Sequence, residues 1–395
     1  MRIISFLILL CTIIIYGCAD KTQTLTVKNS NNHPITDKAV TLSFNESLKY
    51  LNNPNGDEII AIDSDGVFLA TQNDDINGDG NIDEITFLIN LKADETKQIH
   101  FKIATPDELA LFPQRTNIRF GNKKAPFNEI TSAKRLHSTE SKLIQPIFQM
   151  EGPAWENDIV GFRNYYDARN GIDIFGKRTS IMALDSVGIK GQKYHSLDWW
   201  GMDILKVGNS LGAGAIAIAI NDSIYRVGPC KEGSYRFICE GPVRAIFELN
   251  YESVQILDRV YNIKHQISIY AGEYGYESKV WVEGLKGDEE LVTGIVDLHN
   301  LPLIADETQT NHIFMTHGNQ GYEDEILGMA LTVDKNVFIK NKPAPKKGNG
   351  ITHTFCTHLK LEQPTEFSFH VGWEVQDPKF KKPEYFMEQL KYKLD

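Results

Sequence analysis

Cysteine is scarce in this chain of 395 residues, which contains five in all. After Cys18 only three remain, Cys230, Cys239 and Cys356. An odd number of cysteines does not favour a disulfide framework, although one bridge between Cys230 and Cys239 stays open in an oxidising compartment. We therefore expect buried free thiols rather than a disulfide-stapled fold.

Positive charge is also in deficit, because the formal net charge at pH 7 is −11. Such a balance argues against nonspecific binding to nucleic acid or other polyanions. We expect no nucleic-acid partner, and an anionic ligand would need a local cluster of Arg, Lys or His side chains. The sequence also lacks an HEXXH zinc motif and a G-x-S-x-G elbow, so it gives no support for a zinc protease or a serine hydrolase.

Long apolar runs are confined to the N-terminus. The run that follows Arg2 extends to Tyr16 and is too short for a comfortable membrane span. The tetrapeptide Ile15-Tyr16-Gly17-Cys18 resembles the lipobox of bacterial lipoproteins, although an uncleaved N-terminal anchor is an alternative. We predict a lipoprotein signal peptide over residues 1–17 and lipidation at Cys18. The folded part is then held by its lipid at the outer membrane, on the periplasmic or the cell-surface side, and contacts the membrane only through that anchor.

Helical patterns are rare in the remainder of the chain, and short runs with period-two alternation recur throughout. Such alternation predicts antiparallel strands, and the longer runs after about residue 144 favour large twisted sheets packed face to face. We predict a mainly-β protein with a small N-terminal β-domain over residues 18–105, a linker over 106–143 and a large β-sandwich over 144–395. Hydrophobic residues make up 42% of the chain, which is enough for a sizeable core.

A metal-binding pattern lies in the stretch DDINGDGNIDEITF. Calcium takes six to eight oxygen ligands, and four side chains at alternating positions could supply several of them: Asp75, Asn77, Asp79 and Asp83. The loop is not an EF-hand, because the twelfth position counted from Asp75 is Thr86 rather than Glu. We expect a structural Ca²⁺ ion here and no organic cofactor; the alternative is an acidic hairpin turn without a metal.

The stretch EGPAWENDIVGFRNYYDARNGIDIFGKR interleaves charged side chains with aromatic rings. In one extended strand, alternate residues share a face, which would carry Arg163, Tyr165, Asp167 and Arg169. Arginine binds carboxylates through paired hydrogen bonds. An ordinary surface ladder of ion pairs is the alternative, but the aromatic rings and the nearby Lys177 favour a binding site.

A second candidate stretch, GQKYHSLDWWGMDILKVGNSLGAG, places His195, Trp199 and Asp203 close together. Tryptophan rings can stack on sugars, acidic side chains can bind hydroxyl groups, and a histidine can move protons near neutral pH. The alternative is a tryptophan-rich edge of the core with a hydrogen-bonded histidine.

Together with MTHGNQGYEDEILGMAL, these two stretches resemble a family of Bacteroidetes lipoproteins from polysaccharide-utilisation systems, long known only as a domain of unknown function. The family includes an ulvan oligosaccharide dehydratase, which removes water from a non-reducing-end uronate and leaves a 4,5-unsaturated uronyl end. The resemblance implies a galactose-mutarotase-like β-sandwich behind a small β-domain. It also implies an anionic, uronate-containing oligosaccharide as the partner.

Read with that resemblance, Arg163 and Arg169 are candidates to neutralise the substrate carboxylate, with Asp167 orienting them. Two arginine neighbours should lower the pKa of Tyr165. The base is then Tyr165 or His195, and the acid is His195 or His317. Further candidates for substrate binding are Lys177, Trp199, Asp203 and Glu374, the last because mutarotases carry a catalytic carboxylate in that region.

Three other functions stay open from the sequence. A polysaccharide lyase would take the same C5 proton but expel a sugar instead of water. A mutarotase or epimerase would not need the arginine pair, and a non-catalytic uronate-binding lipoprotein would not need His195 or His317.

Overall fold

The computed structural model describes residues 23–51, 57–136, 147–189 and 193–394, so the predicted signal peptide and Cys18 lie outside the described residues. Strands dominate, which confirms the mainly-β prediction: β1 Leu25–Lys28, β2 Ile35–Ser43, β3 Ile59–Ile62, β4 Thr71–Asp74, β5 Glu84–Leu91, β6 Thr96–Ile103, β7 Thr116–Arg119, β8 Ser132–Leu136, β9 Ala154–Asn157, β10 Val160–Asn164, β11 Ile172–Lys177, β12 Gly201–Asp203, β13 Ala217–Ile220, β14 Ser223–Arg226, β15 Glu232–Cys239, β16 Arg244–Ile256, β17 Arg259–Tyr270, β18 Gly275–Glu283, β19 Glu289–Val296, β20 Ile304–Glu307, β21 Asn311–Asn319, β22 Ile326–Asp334, β23 Phe338–Pro343, β24 Thr354–Lys360 and β25 Thr365–Trp373. The described helices are short: α1 Phe44–Ser47, α2 Pro106–Leu109 and α3 Pro383–Leu394, with 3-10 turns at Leu48–Tyr50, Gln149–Glu151 and Pro378–Lys381.

The N-terminal strands form two small sheets, with strand orders β1-β6-β3 and β2-β5-β4. Alternate residues of these strands point inward, so that the two sheets enclose a core that includes Ile59, Ile85, Phe87 and Ile99. This core is separate from that of the rest of the chain, as expected for a small domain.

The large domain is a β-sandwich, as predicted. A nine-stranded sheet, β20-β21-β22-β25-β18-β17-β16-β15-β8, packs on two five-stranded sheets. One of these has the order β12-β11-β10-β9-β7, and the other has the order β14-β13-β19-β24-β23. Aromatic rings fill the interior, where Phe162 meets Tyr276 with 4.8 Å between ring centroids and Trp155 meets Phe247 at 5.1 Å. Burial of such rings is a large apolar contribution to stability.

The segment predicted as a linker contributes two strands to the sandwich. Strand β7 pairs with β9, and β8 forms the edge of the nine-stranded sheet beside β15. Ile118 in β7 is buried in the main core, so its alternation with polar neighbours marked a strand that the linker prediction missed. The linker prediction is therefore wrong for residues 116–119 and 132–136.

The outer face of the nine-stranded sheet is covered in part by α3 and the turn before it. Gly328 and Gly372 allow this close approach, because a Cβ atom at either position would lie 2.5 Å from a ring of Phe386 or Phe380. Among the described residues, no helix is long and apolar enough to cross a membrane. The three described cysteines, Cys230, Cys239 and Cys356, form no disulfide, so no bridge joins the first two.

A buried arginine joins the small domain to the sandwich. Arg244, at the start of β16, donates hydrogen bonds to Asp74 and Glu84 at 2.8 Å each. Its backbone N–H and C=O both bond the side-chain amide of Gln72. A cation buried with its carboxylates ties the two domains, because separating them would leave the charges unpaired.

We predict that Arg244→Ala lowers the free energy of unfolding by about 3–5 kcal/mol, because it leaves Asp74 as an uncompensated buried charge. Denaturant unfolding measures this loss. Lys279→Ala is the control, since it removes an exposed ion pair with Glu366 and should cost no more than about 1 kcal/mol. Equal losses in the two variants would contradict the role of Arg244.

Candidate functional site

Strands β10 and β11 form a hairpin rather than one long strand. Strand β10 ends at Asn164, and β11 begins at Ile172. Between them the Asp167 carboxylate accepts the backbone N–H of Arg169 at 2.8 Å, and Asn170 adopts a left-handed φ of 45°. Aspartate and asparagine favour such turns. The prediction that Arg163 to Arg169 share one extended face is therefore wrong.

Arg163 is the centre of a buried polar cluster on the side of β10 and β11 that faces away from the nine-stranded sheet. Its side chain is only 2% exposed. Its Nη2 donates to Asp173 at 2.7 Å and to Asp203 at 3.1 Å. Its Nη1 donates to the carbonyl of Met150 and to the hydroxyl of Tyr194. The guanidinium is thus occupied by the protein's own groups.

The carboxylates of Asp173 and Asp203 share this single cation. Burial, together with the negative charge of Asp203, raises the pKa of Asp173 to about 7. Tyr165 donates its hydroxyl proton to Asp173 at 2.8 Å. Burial raises the pKa of Tyr165 well above its ordinary value, although Arg163 acts in the opposite direction. The expectation that arginine neighbours lower this pKa is wrong, and Tyr165 serves as a hydrogen-bond donor.

His195 is the member of the cluster that reaches solvent. Its Nδ1 lies 3.2 Å from the buried Asp203 carboxylate, while its side chain is 47% exposed. The hydrogen bond to Asp203 raises the pKa of His195. In the neutral ring, an N–H at Nδ1 directed to Asp203 leaves the lone pair of Nε2 free to accept a proton. The pair has the geometry of a general base held by a carboxylate.

Two residues that the sequence did not single out form a rim beside His195: Tyr322 stacks on the imidazole, and Lys206 lies over the Tyr322 ring. The ring of Tyr322, from the loop after β21, stacks on the imidazole with 5.3 Å between centroids and 18° between planes. The ammonium of Lys206 lies 4.9 Å from the centre of the Tyr322 ring and is exposed. The rim therefore combines a flat aromatic surface with a positive charge.

Arg169 lies on another side of the cluster. Its guanidinium makes a two-pronged contact with Asp167 and a 2.6 Å bond to Glu151. Its central carbon sits 3.9 Å from the centre of the Tyr165 ring. The described hydrogen bonds of this guanidinium are donated by Nε and Nη2, and none of them is donated by Nη1. Asp167 thus orients Arg169 as expected, whereas Arg163 is held by Asp173 and Asp203.

The other residues predicted from the sequence lie at the edge of this cluster or away from it. Trp199 is 51% exposed, at a turn between His195 and Asp203, while the adjacent Trp200 is fully buried. Lys177 is buried and bonds Glu156 and the carbonyl of Asn157. Lys177 therefore balances an internal charge and does not reach the surface around His195.

The structure does not bring His317 or Glu374 to the cluster. His317 lies on the outer face of the nine-stranded sheet, where its Nε2 is 2.8 Å from the carbonyl of Phe380. The Glu374 carboxylate accepts the backbone N–H of Ile326 at 2.7 Å and pairs with Lys381. Both contacts hold the C-terminal segment against the sheet.

The predicted calcium loop connects β4 to β5. The Asp75 carboxylate accepts backbone N–H groups at Gly78, Asp79 and Gly80, and the Asp83 carboxylate accepts those at Ile76 and Asn77. The described residues contain no group of three or more His, Cys, Asp or Glu side chains placed to hold a metal ion. The calcium site at Asp75, Asn77, Asp79 and Asp83 stays a prediction.

Comparisons with known proteins identify relatives of unknown activity. A family model described as Domain of unknown function (DUF4861) matches residues 27–394. Uncharacterized protein P7 of Formosa agariphila is 26% identical over 201 residues, which cover 46% of this chain and 49% of that protein. The match thus spans about half the length of this relative.

Two solved structures align with most of the chain at low similarity. An α-mannosidase from Enterococcus faecalis V583 has a TM-score of 0.37 and 10% identity, over 93% of this chain and 44% of that chain. A glycosyl hydrolase family 38 protein from Enterococcus faecalis has a TM-score of 0.36 and 9% identity, over 93% and 46%. Similarity at this level carries no argument about function.

We predict that Asp203→Asn lowers the pKa of His195, because it removes the anion that favours the charged imidazole and leaves Arg163 nearby. NMR titration of the imidazole measures the change. Asp198→Asn is the control, since its carboxylate accepts the backbone N–H of Trp199. An unchanged His195 pKa in Asp203→Asn would show that the pair does not form.

Proposed function

The chain belongs to the DUF4861 family, and we propose that it is a carbohydrate-active hydro-lyase that eliminates water from the non-reducing-end uronate of an oligosaccharide, as in ulvan fragments. One observation carries the proposal: a half-exposed histidine, His195, hydrogen-bonded to a buried carboxylate and bordered by an aromatic ring and a cation. The product would carry a 4,5-unsaturated uronyl end.

In this proposal His195 is the base. The Nε2 lone pair takes the proton from C5 of the uronate, and Asp203 stabilises the imidazolium that forms. A positioned base of this kind contributes about 10²- to 10⁴-fold in rate. The buried cluster around Arg163 fixes Asp203, and therefore the direction of the imidazole.

The substrate carboxylate must be neutralised, because negative charge spreads into it as the C5 proton leaves. Arg163 is poorly suited to this role, because its guanidinium is buried and already paired with Asp173 and Asp203. The side chain of Lys206 is exposed beside the ring of Tyr322. The guanidinium of Arg169 lies over the ring of Tyr165, and its Nη1 makes none of the described hydrogen bonds. We assign the substrate carboxylate to Lys206, because among the described residues it is the cation that lies over the Tyr322 ring, which stacks on His195.

The departing 4-hydroxyl needs a proton. Where C5–H and C4–O lie on the same face of the sugar, protonated His195 can return the proton it took. Where they lie on opposite faces, a second group must act, and the phenols of Tyr194 and Tyr322, whose rings contact the imidazole, are the candidate donors. Tyr194 is bonded through its oxygen to Arg163, which leaves its proton free to donate.

Two further proposals rest on the sequence alone. Lipidation at Cys18 would hold the domain at the outer membrane, close to imported or surface-bound oligosaccharides. A Ca²⁺ ion in the β4–β5 loop would stabilise the N-terminal domain, which lies outside the reaction.

We predict that saturated uronate-ended oligosaccharides gain the ultraviolet absorbance of an unsaturated uronate, with no change in chain length. His195→Gln should lower kcat by about 10²- to 10⁴-fold, because it removes the base. Lys206→Met should lower kcat/KM by about 10²- to 10³-fold, the usual cost of losing one donor to a developing anion. His100→Gln, in the exposed part of β6, is the control and should keep full activity.

Each other outcome has a distinct meaning for this proposal. Product with a shorter chain would identify a polysaccharide lyase, and binding without any product would identify a sugar-binding protein. Full activity in His195→Gln would reject the assignment of the base. If Lys206→Met keeps full activity and Arg169→Met loses activity, the cation that binds the substrate carboxylate is Arg169 rather than Lys206.

We predict that kcat/KM rises with pH as His195 loses its proton, because only the neutral ring can accept one. Asp203 raises the pKa of His195, so Asp203→Asn should move this rise to lower pH while lowering the plateau. Initial rates across a pH series measure both. A rise that stays at the same pH in Asp203→Asn would mean that another group titrates.

A further inference from the structure

A second recess lies on the other side of the sandwich from His195. It forms where β2 of the N-terminal domain, the outer face of the nine-stranded sheet and the end of α3 meet. Its volume is about 250 Å³, and its walls include Glu273, Glu277, Ser368, His370 and Tyr392. Binding pockets commonly form at such junctions between domains.

The charged walls of the recess nearly balance. Glu273 pairs with Lys393 of α3 at 2.7 Å. The side chain of Glu277 is exposed in the recess, and its carboxylate makes no hydrogen bond with the described part of the chain. An exposed carboxylate can accept hydrogen bonds from the hydroxyl groups of a ligand.

Hydroxyl groups and an aromatic ring complete the walls. Ser368 in β25 stands directly opposite Glu277 in the sheet register. The ring of Tyr392 is fixed by stacking on His33, with 3.6 Å between centroids. A carboxylate, a hydroxyl group and an ordered ring that line one recess between two domains are features of a ligand site.

We propose that this recess binds one neutral pyranose unit of a polysaccharide. Two cations, Lys38 and Lys393, and two carboxylates, Glu273 and Glu277, line the recess, so its charge favours neither an anionic nor a cationic ligand. A neutral polyol leaves the ion pair between Glu273 and Lys393 intact and supplies hydroxyl groups to Glu277 and Ser368. The recess has room for one sugar ring, and it is independent of the reaction proposed at His195.

The test is the binding of neutral methyl pyranosides of the gluco, galacto and rhamno series to the mature full-length chain at pH 7. Ligand-observed NMR and the melting temperature report binding, because a ligand that binds only the folded state stabilises it. Glu277→Ala should weaken binding about tenfold or more through loss of a hydrogen-bonded carboxyl group. Glu277→Gln, which keeps a donor and an acceptor, should retain part of the affinity.

Glu283→Ala is the matched control, because Glu283 is on the same face of β18 and does not line the recess. It should bind the glycosides as the unaltered chain does. The proposal is overturned if none of the three glycosides binds, or if Glu277→Ala binds as tightly as Glu283→Ala. Binding of methylammonium in their place would also overturn it and would assign the recess to cations.

Discussion

The site depends on one buried guanidinium, that of Arg163, held between the carboxylates of Asp173 and Asp203. A charge in the interior is tolerated only when it is paired and hydrogen-bonded, so the surrounding groups must all be present and correctly placed. Tyr165 and Tyr194 complete that set. The imidazole of His195 is hydrogen-bonded to Asp203, so this buried cluster fixes the orientation of a side chain that is half exposed to solvent.

The same two strands support both the core and this cluster. Along β10 and β11, Phe162 and Ile174 point into the sandwich, while Arg163 and Asp173 point to the opposite face. The apolar face anchors the strands against the nine-stranded sheet. The polar face is then covered by the chain segments that supply Tyr194, His195 and Asp203. Because side chains alternate between the two faces of a strand, the residues that pack in the core and the residues of the polar cluster lie on opposite faces of β10 and β11.

The sequence indicated much of the cluster but not its connections. Arg163, Tyr165, His195 and Asp203 stand out because charged and aromatic residues crowd short stretches of otherwise strand-like sequence. The ion pair between Arg163 and Asp173 could not be predicted from their spacing in the sequence, because it forms only when the turn at Asp167 to Asn170 brings Asp173 back beside Arg163. An aspartate inside the apolar run Ile172–Lys177 was the available signal for Asp173.

Tertiary contacts account for what the sequence missed. Tyr322 stacks on His195 and Lys206 lies over the Tyr322 ring, each from a separate loop, and nothing local in their sequence indicates these contacts. His317 looked equally suitable as an acid, yet the alternation of β21 turns it toward α3. Lys177 carried a charge that suggested a substrate contact, whereas the fold uses it to neutralise the buried Glu156.

The most direct measurement is a crystal structure of the His195→Gln protein with a saturated uronate-ended disaccharide. The account predicts the uronate ring against Tyr322, its carboxylate at Lys206, and C5 facing the introduced amide at roughly 3–3.5 Å, the separation of reacting atoms in a productive complex. A disaccharide bound elsewhere, or bound with its carboxylate away from this cluster, would contradict the assignment of His195 as the base.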